Sequence, residues 1–260
     1  MATSDRNPYA RPTVGAAPAA VGIDQGLRSY MLRVYNYMAI GLVITGIAAL
    51  TVVNFAIASS AEGAAAQLGN GMYLTQFGVT LYTSPLKWVV MLSPLAFIFF
   101  LGARMHKMSL STAQMTFWAF AAIMGVSLSS IFLVYTSESI VRVFFITAAS
   151  FGALSLFGYT TKKDLSGWGN FLFMGLIGII IAALVNLFLQ SSALQFAISV
   201  IGVLVFAGLT AYDTQRIKEM YYAGDDGTVA GRKAIMGALS LYLNFINMFV
   251  LLLSLFGNRE

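Results

Sequence analysis

The sequence predicts an all-α, polytopic integral membrane protein with seven transmembrane helices. Three observations carry that expectation. Of 260 residues, 58% are hydrophobic and only 10% are charged, whereas a soluble globular chain carries roughly 25% charged residues. The mean hydropathy is +0.80. The charges also fall in short clusters, separated by uncharged runs close to the ~20 residues a helix needs to cross a bilayer. Soluble enzymes, nucleic-acid binders and disordered scaffolds are excluded by this composition. The absence of cysteine excludes disulfides, thiolate metal sites and a cysteine nucleophile.

The uncharged runs give the elements in order. Residues 1–27 hold Pro8, Pro12 and Pro18 among small and polar residues and read as a flexible polar tail. The tail has no apolar core of its own, so no cleavable signal peptide is expected. The transmembrane domain covers 28–260. Its first span, 34–58, lies between Arg33 and Glu62. The second, 84–103, is short, and Lys87 near its start can snorkel to the surface. The third, 112–135, lies between Lys107 and Glu138, and the fourth, 143–161, between Arg142 and Lys162. From Leu165 to Tyr212 there is no charge, too long for one crossing. Gln190-Ser191-Ser192 divides this run into spans 171–189 and 193–215. The last span, 234–256, lies between Lys233 and Arg259. The long connection from Ser59 to Lys87 reads as a loop with an interfacial stretch near Met72–Tyr82.

Lysine and arginine near the span ends set orientation. Arg28, Arg33, Arg104, Lys107, Lys162, Lys163, Arg216, Lys218, Arg232 and Lys233 all fall on one side, and Lys87, Arg142 and Arg259 on the other. The richer side is expected in the cytoplasm, with the N-terminus there and the C-terminus outside. The net charge of +5 is then an orientation signal, and no nucleic-acid partner is expected.

Ionisable groups within or bordering spans are costly and therefore functional candidates. Asp213 is the most informative. It lies near the cytoplasmic end of its helix, where the helix dipole disfavours a carboxylate. Arg216, three residues on, could compensate locally. Arg104, ending the second span at the same level, could do so across helices and act as a latch. Glu138 and Arg142, spaced i,i+4, read either as a rim salt bridge or as the outer mouth of a cation pathway. His106, the sole histidine, reads as an interfacial residue. Gly125, Ser127, Ser129 and Ser130 put small residues on the third span, where they favour close helix packing. No HExxH, G-x-S-x-G or phosphate-binding glycine loop is present. One histidine and one intramembrane aspartate do not make an intramembrane protease either, so the chain is not expected to be an enzyme.

Two stretches carry a resemblance. Gly208-Leu209-Thr210-Ala211-Tyr212-Asp213-Thr214-Gln215, followed by Ile217-Lys218, closely resembles the sixth-helix signature of the transmembrane Bax inhibitor motif family. Ala238-Leu239-Ser240-Leu241-Tyr242-Leu243-Asn244-Phe245-Ile246-Asn247-Met248-Phe249 resembles its seventh-helix signature. Ser127–Leu133, Thr147 and the run from Gly158 to Ser166 fit the bacterial branch. The resemblance covers about residues 28–257. It implies a seven-helix bundle whose last helix is surrounded by the other six, in a bacterial inner membrane. It also implies a pH-sensitive calcium leak, with facing aspartates on helices six and seven and a helix-two arginine as latch.

Carried over, Asp213 takes the helix-six position and Arg104 the helix-two position, while Asn244 stands where the second aspartate is expected. Two close carboxylates titrate as a coupled pair and favour a hard cation. An Asp–Asn pair keeps the hydrogen bond but lacks the second proton and charge. The function expected is thus a calcium or cation leak with altered pH gating, with Asp213 as a weak metal candidate, calcium as the permeant ion and no resident cofactor. The other expectation is a non-conducting regulator that binds a membrane partner such as a quality-control protease. Besides the lipid bilayer no partner is specified, and a monomer is favoured. Depth sets a condition on all of this. At ~1.5 Å per residue, Asn244 lies about 16 Å beyond Lys233, so it meets Asp213 only if the sixth helix continues past Arg216.

Overall fold

The structure is a computed structural model that describes residues 24–69 and 71–259; most of the expected N-terminal tail lies outside the described residues. Eight helices are present among these: α1 (Gln25–Ala56), α2 (Gln76–Tyr82), α3 (Leu86–Arg104), α4 (Leu110–Leu128), α5 (Ser137–Thr160), α6 (Ser166–Leu189), α7 (Ser192–Glu219) and α8 (Gly227–Phe256). Seven crossings result, each long and apolar enough to span a membrane, with the third formed by α4 and the turn that follows it. The protein is an all-α polytopic membrane protein.

Most helices begin where a Ser, Thr or Asp oxygen can accept from first-turn N–H groups. Asp24 caps α1, Ser109 α4, Thr136 α5, Ser191 α7 and Asp226 α8. These caps lie outside the expected spans, so the helices overrun them. Residues 25–27, expected in the tail, form the first turn of α1, and α7 continues through Glu219 instead of stopping at 215. A helix need not end where the hydrocarbon does, because Arg28 and Arg33, both exposed, extend to the interface. The third crossing changes character near its end, where α4 gives way to a 3₁₀ turn, Ser129–Leu133. There the Ser129 and Ser130 hydroxyls donate to the carbonyls of Val126 (2.6 Å) and Ser127 (3.2 Å), and such bonds compete with the α-helical ladder.

The connection after α1 holds more structure than expected. β1 (Ile57–Ala58), β2 (Ala66–Gln67) and β3 (Tyr73–Leu74) form an antiparallel sheet ordered β1-β3-β2. Strands of two residues leave no alternation to read. α2 lies across the end of α1 because Gly78 has no side chain: a Cβ there would overlap the Ala56 carbonyl.

α8 runs through the middle. Half of its most apolar stretch is buried, against 6% for α6. Its main packing is with α1, α4, α5 and α7, while α3 lies on α4 and α6 on α7. The expected ring of six is therefore chiefly a ring of four with two outer helices. Tyr242 of α8 is fully buried, edge-on to Phe117 and Phe120, with its hydroxyl 2.6 Å from Thr45 Oγ1. Close approaches set the frame. A Cβ on Gly125 would overlap the Thr45 carbonyl of α1, and one on Gly158 the Ala211 carbonyl of α7, so Gly125 packs helices as its small neighbours suggested. Phe171, Phe173, Met174, Ile181, Leu184 and Phe188 of α6 are all exposed, a patch that lipid covers and water would not tolerate.

Candidate functional site

At one end of the bundle, the start of α1 meets the loop after α7, where Tyr221 closes on Gly26. Arg232 Nη1 reaches the Met108 carbonyl before α4 (3.3 Å) and Lys218 Nζ the Tyr159 carbonyl at the end of α5 (2.9 Å). These contacts gather onto one face the connections that carry most of the basic residues. Lys233 ties the α7–α8 turn together, 2.6 Å from Asp225 Oδ2 and 3.1 Å from the Met220 carbonyl.

Just inside this face, three consecutive residues of α7 look three ways, since each step along a helix turns ~100°. Asp213 faces α8, where Asn244 Nδ2 donates to its Oδ2 at 2.8 Å; Asn244 is only 5% exposed. Thr214 faces α5 and is fully buried. Its hydroxyl lies 3.0 Å from Ser155 Oγ, which in turn lies 2.7 Å from the Tyr35 hydroxyl of α1. Gln215 faces the α5–α6 loop and clamps it, accepting from Leu165 N (2.8 Å) and donating to the Lys163 carbonyl (2.8 Å). Within that loop, hydrogen bonds from Ser166 hold the Asp164 carboxyl below the usual carboxylate range. The condition on depth is met: α7 continues past Arg216 to Glu219, and Gly237 of α8 packs beside Ile217, two turns before Asn244.

The structure thus brings together Asp213 and Asn244 and does not bring Arg104 to them. Arg104 is exposed at the end of α3 and makes no ion pair among the described residues. The physical reason is the position of α3, which packs on α4, so that the turn after it, Met105–Lys107, reaches α8 while Arg104 itself points to the surface. The expected Arg104–Asp213 latch is therefore absent from this structure. Arg216 forms no ion pair with Asp213 among the described residues either; its charge acts on Asp213 from one turn away. As arranged, the carboxylate meets the donor end of the Asn244 amide, a closed hydrogen-bonded pair. One carboxylate falls well short of the six to eight oxygens of a resident calcium site, and no group of three or more metal-ligating side chains occurs among the described residues.

At the opposite end, Glu138 and Arg142 are both exposed on the first turns of α5 and form no ion pair among the described residues. Arg142 Nη2 donates instead to Ser139 Oγ (3.2 Å). Ser139 is buried and fixed, whereas an exposed pair would order two long side chains for little gain. The chain's last residues dock there, with Thr136 N donating to the Asn258 carbonyl (3.1 Å) and Asn258 N to Ser139 Oγ (3.0 Å). Nearby, burial pushes the Tyr82 phenol above its ordinary value despite its bond to Ser129. The side chain of His106 lies outside what the structure describes.

Tyr35 and Ser155 carry no signal in the sequence, and Gln215 only its place in the sixth-helix signature. Their partners are 50 to 120 residues away, so no local spacing marks them; Thr214 carries the same hint as Gln215.

Comparison with known proteins shows the family. The sequence profile of the family described as inhibitor of apoptosis-promoting Bax1 matches residues 27–260. An uncharacterized protein of Rickettsia prowazekii is 48% identical over 91% of this chain and 92% of its own length. One from Caulobacter vibrioides is 47% identical over 97% of both chains. The inner membrane protein YbhL of Escherichia coli is 45% identical over 90% of this chain and 94% of its own. With the family's two helix signatures packed together at the Asp213–Asn244 contact and its profile matched over nearly the whole chain, this protein belongs to the Bax inhibitor-1 family.

Proposed function

We propose that this protein is a calcium-permeable cation leak of a bacterial inner membrane, gated at the α7–α8 seam. The observation that carries the proposal is the 2.8 Å Asn244–Asp213 hydrogen bond. It sets a single acid against the central helix, in a bundle whose buried polar side chains are otherwise neutral. An intramembrane carboxylate is costly and marks ion pathways. The basic face of the bundle is assigned to the cytoplasm by its Lys and Arg alone, and the similarity to YbhL, an inner membrane protein, supports the inner membrane as the bilayer. With one acid, the seam passes through one protonation step, so its pH response differs from that of a two-aspartate member.

A specific observation favours a second reading. α8 fills the axis with Leu241, Tyr242, Phe245 and Met248, all buried, as befits a bundle that regulates a membrane partner without conducting. Calcium flux through purified protein in liposomes separates the two. A leak lost in Asp213→Ala supports conduction through the seam, and no flux above empty liposomes supports the regulator.

A further inference from the structure

We infer that a lateral cleft between α1 and α5, at the basic end of the bundle, is a binding site for one anionic phospholipid of the bilayer. The inference does not depend on whether the bundle conducts.

The cleft has a volume of about 410 Å³, within the ~300–1,000 Å³ typical of small-molecule sites. It opens sideways between Leu32 and Leu156, which are 51% and 62% exposed and so face the hydrocarbon. Arg28 stands at its outer lip and Tyr35 at its inner end, seven residues apart on α1, or about 10 Å. That reach accommodates much of one acyl chain below a headgroup at the level of Arg28. The walls are almost wholly apolar, and a void open to hydrocarbon loses dispersion contacts unless a chain fills it.

Charge selects the headgroup. Arg28 is exposed and has no ion-pair partner among the described residues. Lys218 Nζ sits 5.3 Å from the ring centroid of Tyr159, a residue that lines the same cleft. Lys162 and Lys163 follow directly at the end of α5 and are exposed. No acidic side chain lines the cleft. A phosphate whose charge its own headgroup does not neutralise therefore meets Arg28 and no acidic side chain within the cleft, the arrangement expected of an anionic-lipid site between helices.

The floor is closed by the Tyr35–Ser155 hydrogen bond, which continues to Thr214, so the chain end meets no unpaired polar group. Thr214 adjoins Asp213, and occupancy therefore bears on the stretch of α7 that faces Asn244.

The test is native mass spectrometry of the purified full chain titrated with phosphatidylglycerol and, separately, phosphatidylcholine of identical acyl chains. The first phosphatidylglycerol should bind at least about fivefold more tightly, the effect of one basic residue at an anionic headgroup. Arg28→Gln should remove that preference. Gly152→Phe should weaken both lipids, since Gly152 lines the cleft and a side chain begun there meets no atom within 4 Å. Gly152→Ala, which leaves the cleft open, should bind as the native protein does. Equal binding of the two lipids by the native protein, or unchanged binding in both Arg28→Gln and Gly152→Phe, would overturn the assignment.

Discussion

The Asp213–Asn244 contact predicts a coupling energy that depends on pH. Asn244→Ala removes the amide that donates to Asp213 Oδ2. Asp213→Ala leaves that amide, 5% exposed, without its acceptor. Interhelical hydrogen bonds between neutral groups in a membrane average about 0.6 kcal/mol in double-mutant cycles. A bond to an ionised acceptor is worth about 1.5–3 kcal/mol. The native protein, the two single variants and the double variant should therefore give a coupling near ~0.6 kcal/mol while Asp213 is protonated. Above its titration the coupling should rise to about 1.5 kcal/mol or more, in a single step. Equilibrium unfolding in detergent micelles, followed by circular dichroism from acid to alkaline pH, measures it. A coupling that stays below about 0.5 kcal/mol throughout is within additivity error and would mean that the pair does not hold the seam. A coupling that is substantial but independent of pH would refute its single titration.

Other predictions address the frame around the seam. Gly158→Val sets a branched side chain against the Ala211 carbonyl and should cost about 1–3 kcal/mol as overpacking, with Gly158→Ala at the low end. Tyr242→Phe should cost about 1 kcal/mol, because Thr45 loses only the phenol hydroxyl. Tyr242→Ala should cost about 3–5 kcal/mol through the cavity left between Phe117 and Phe120. Thermal unfolding in detergent ranks all four variants. Asp164, held below the usual carboxylate range by Ser166, stabilises the fold above its unfolded titration and loses that effect as pH falls through its folded one. The thermal stability of Asp164→Ala should thus lie below that of the native protein near neutrality and converge with it in strong acid.

What the sequence made legible follows from what membranes penalise. Charges cannot lie in hydrocarbon, so their positions bracket the crossings, and seven emerge. The α7–α8 pairing was legible through two long signatures, and the required extension of α7 past Arg216 through rise per residue alone. The helix ends were not, because capping by Asp24 or Asp226 takes place beyond the apolar runs. The Arg104 latch failed for a different reason. Equal depth brings two groups to one level, but azimuth decides whether they meet, and the placement of α3 outside α4 is a tertiary fact. Thr214–Ser155–Tyr35 was hidden likewise, since each hydroxyl is an ordinary residue until helix rotation aligns it. Glu138 and Arg142 have the spacing of a salt bridge, yet the buried Ser139 hydroxyl takes the guanidinium.

The central claim is that a single acid at the α7–α8 seam controls a cation leak. Calcium flux against pH in proteoliposomes, comparing the native protein with Asp213→Ala and Asn244→Asp, tests it most directly. The account predicts a leak with one pH step in the native protein, loss of that step in Asp213→Ala, and a stronger pH dependence once Asn244→Asp supplies the second carboxylate. Superimposable flux–pH curves for all three proteins would contradict it.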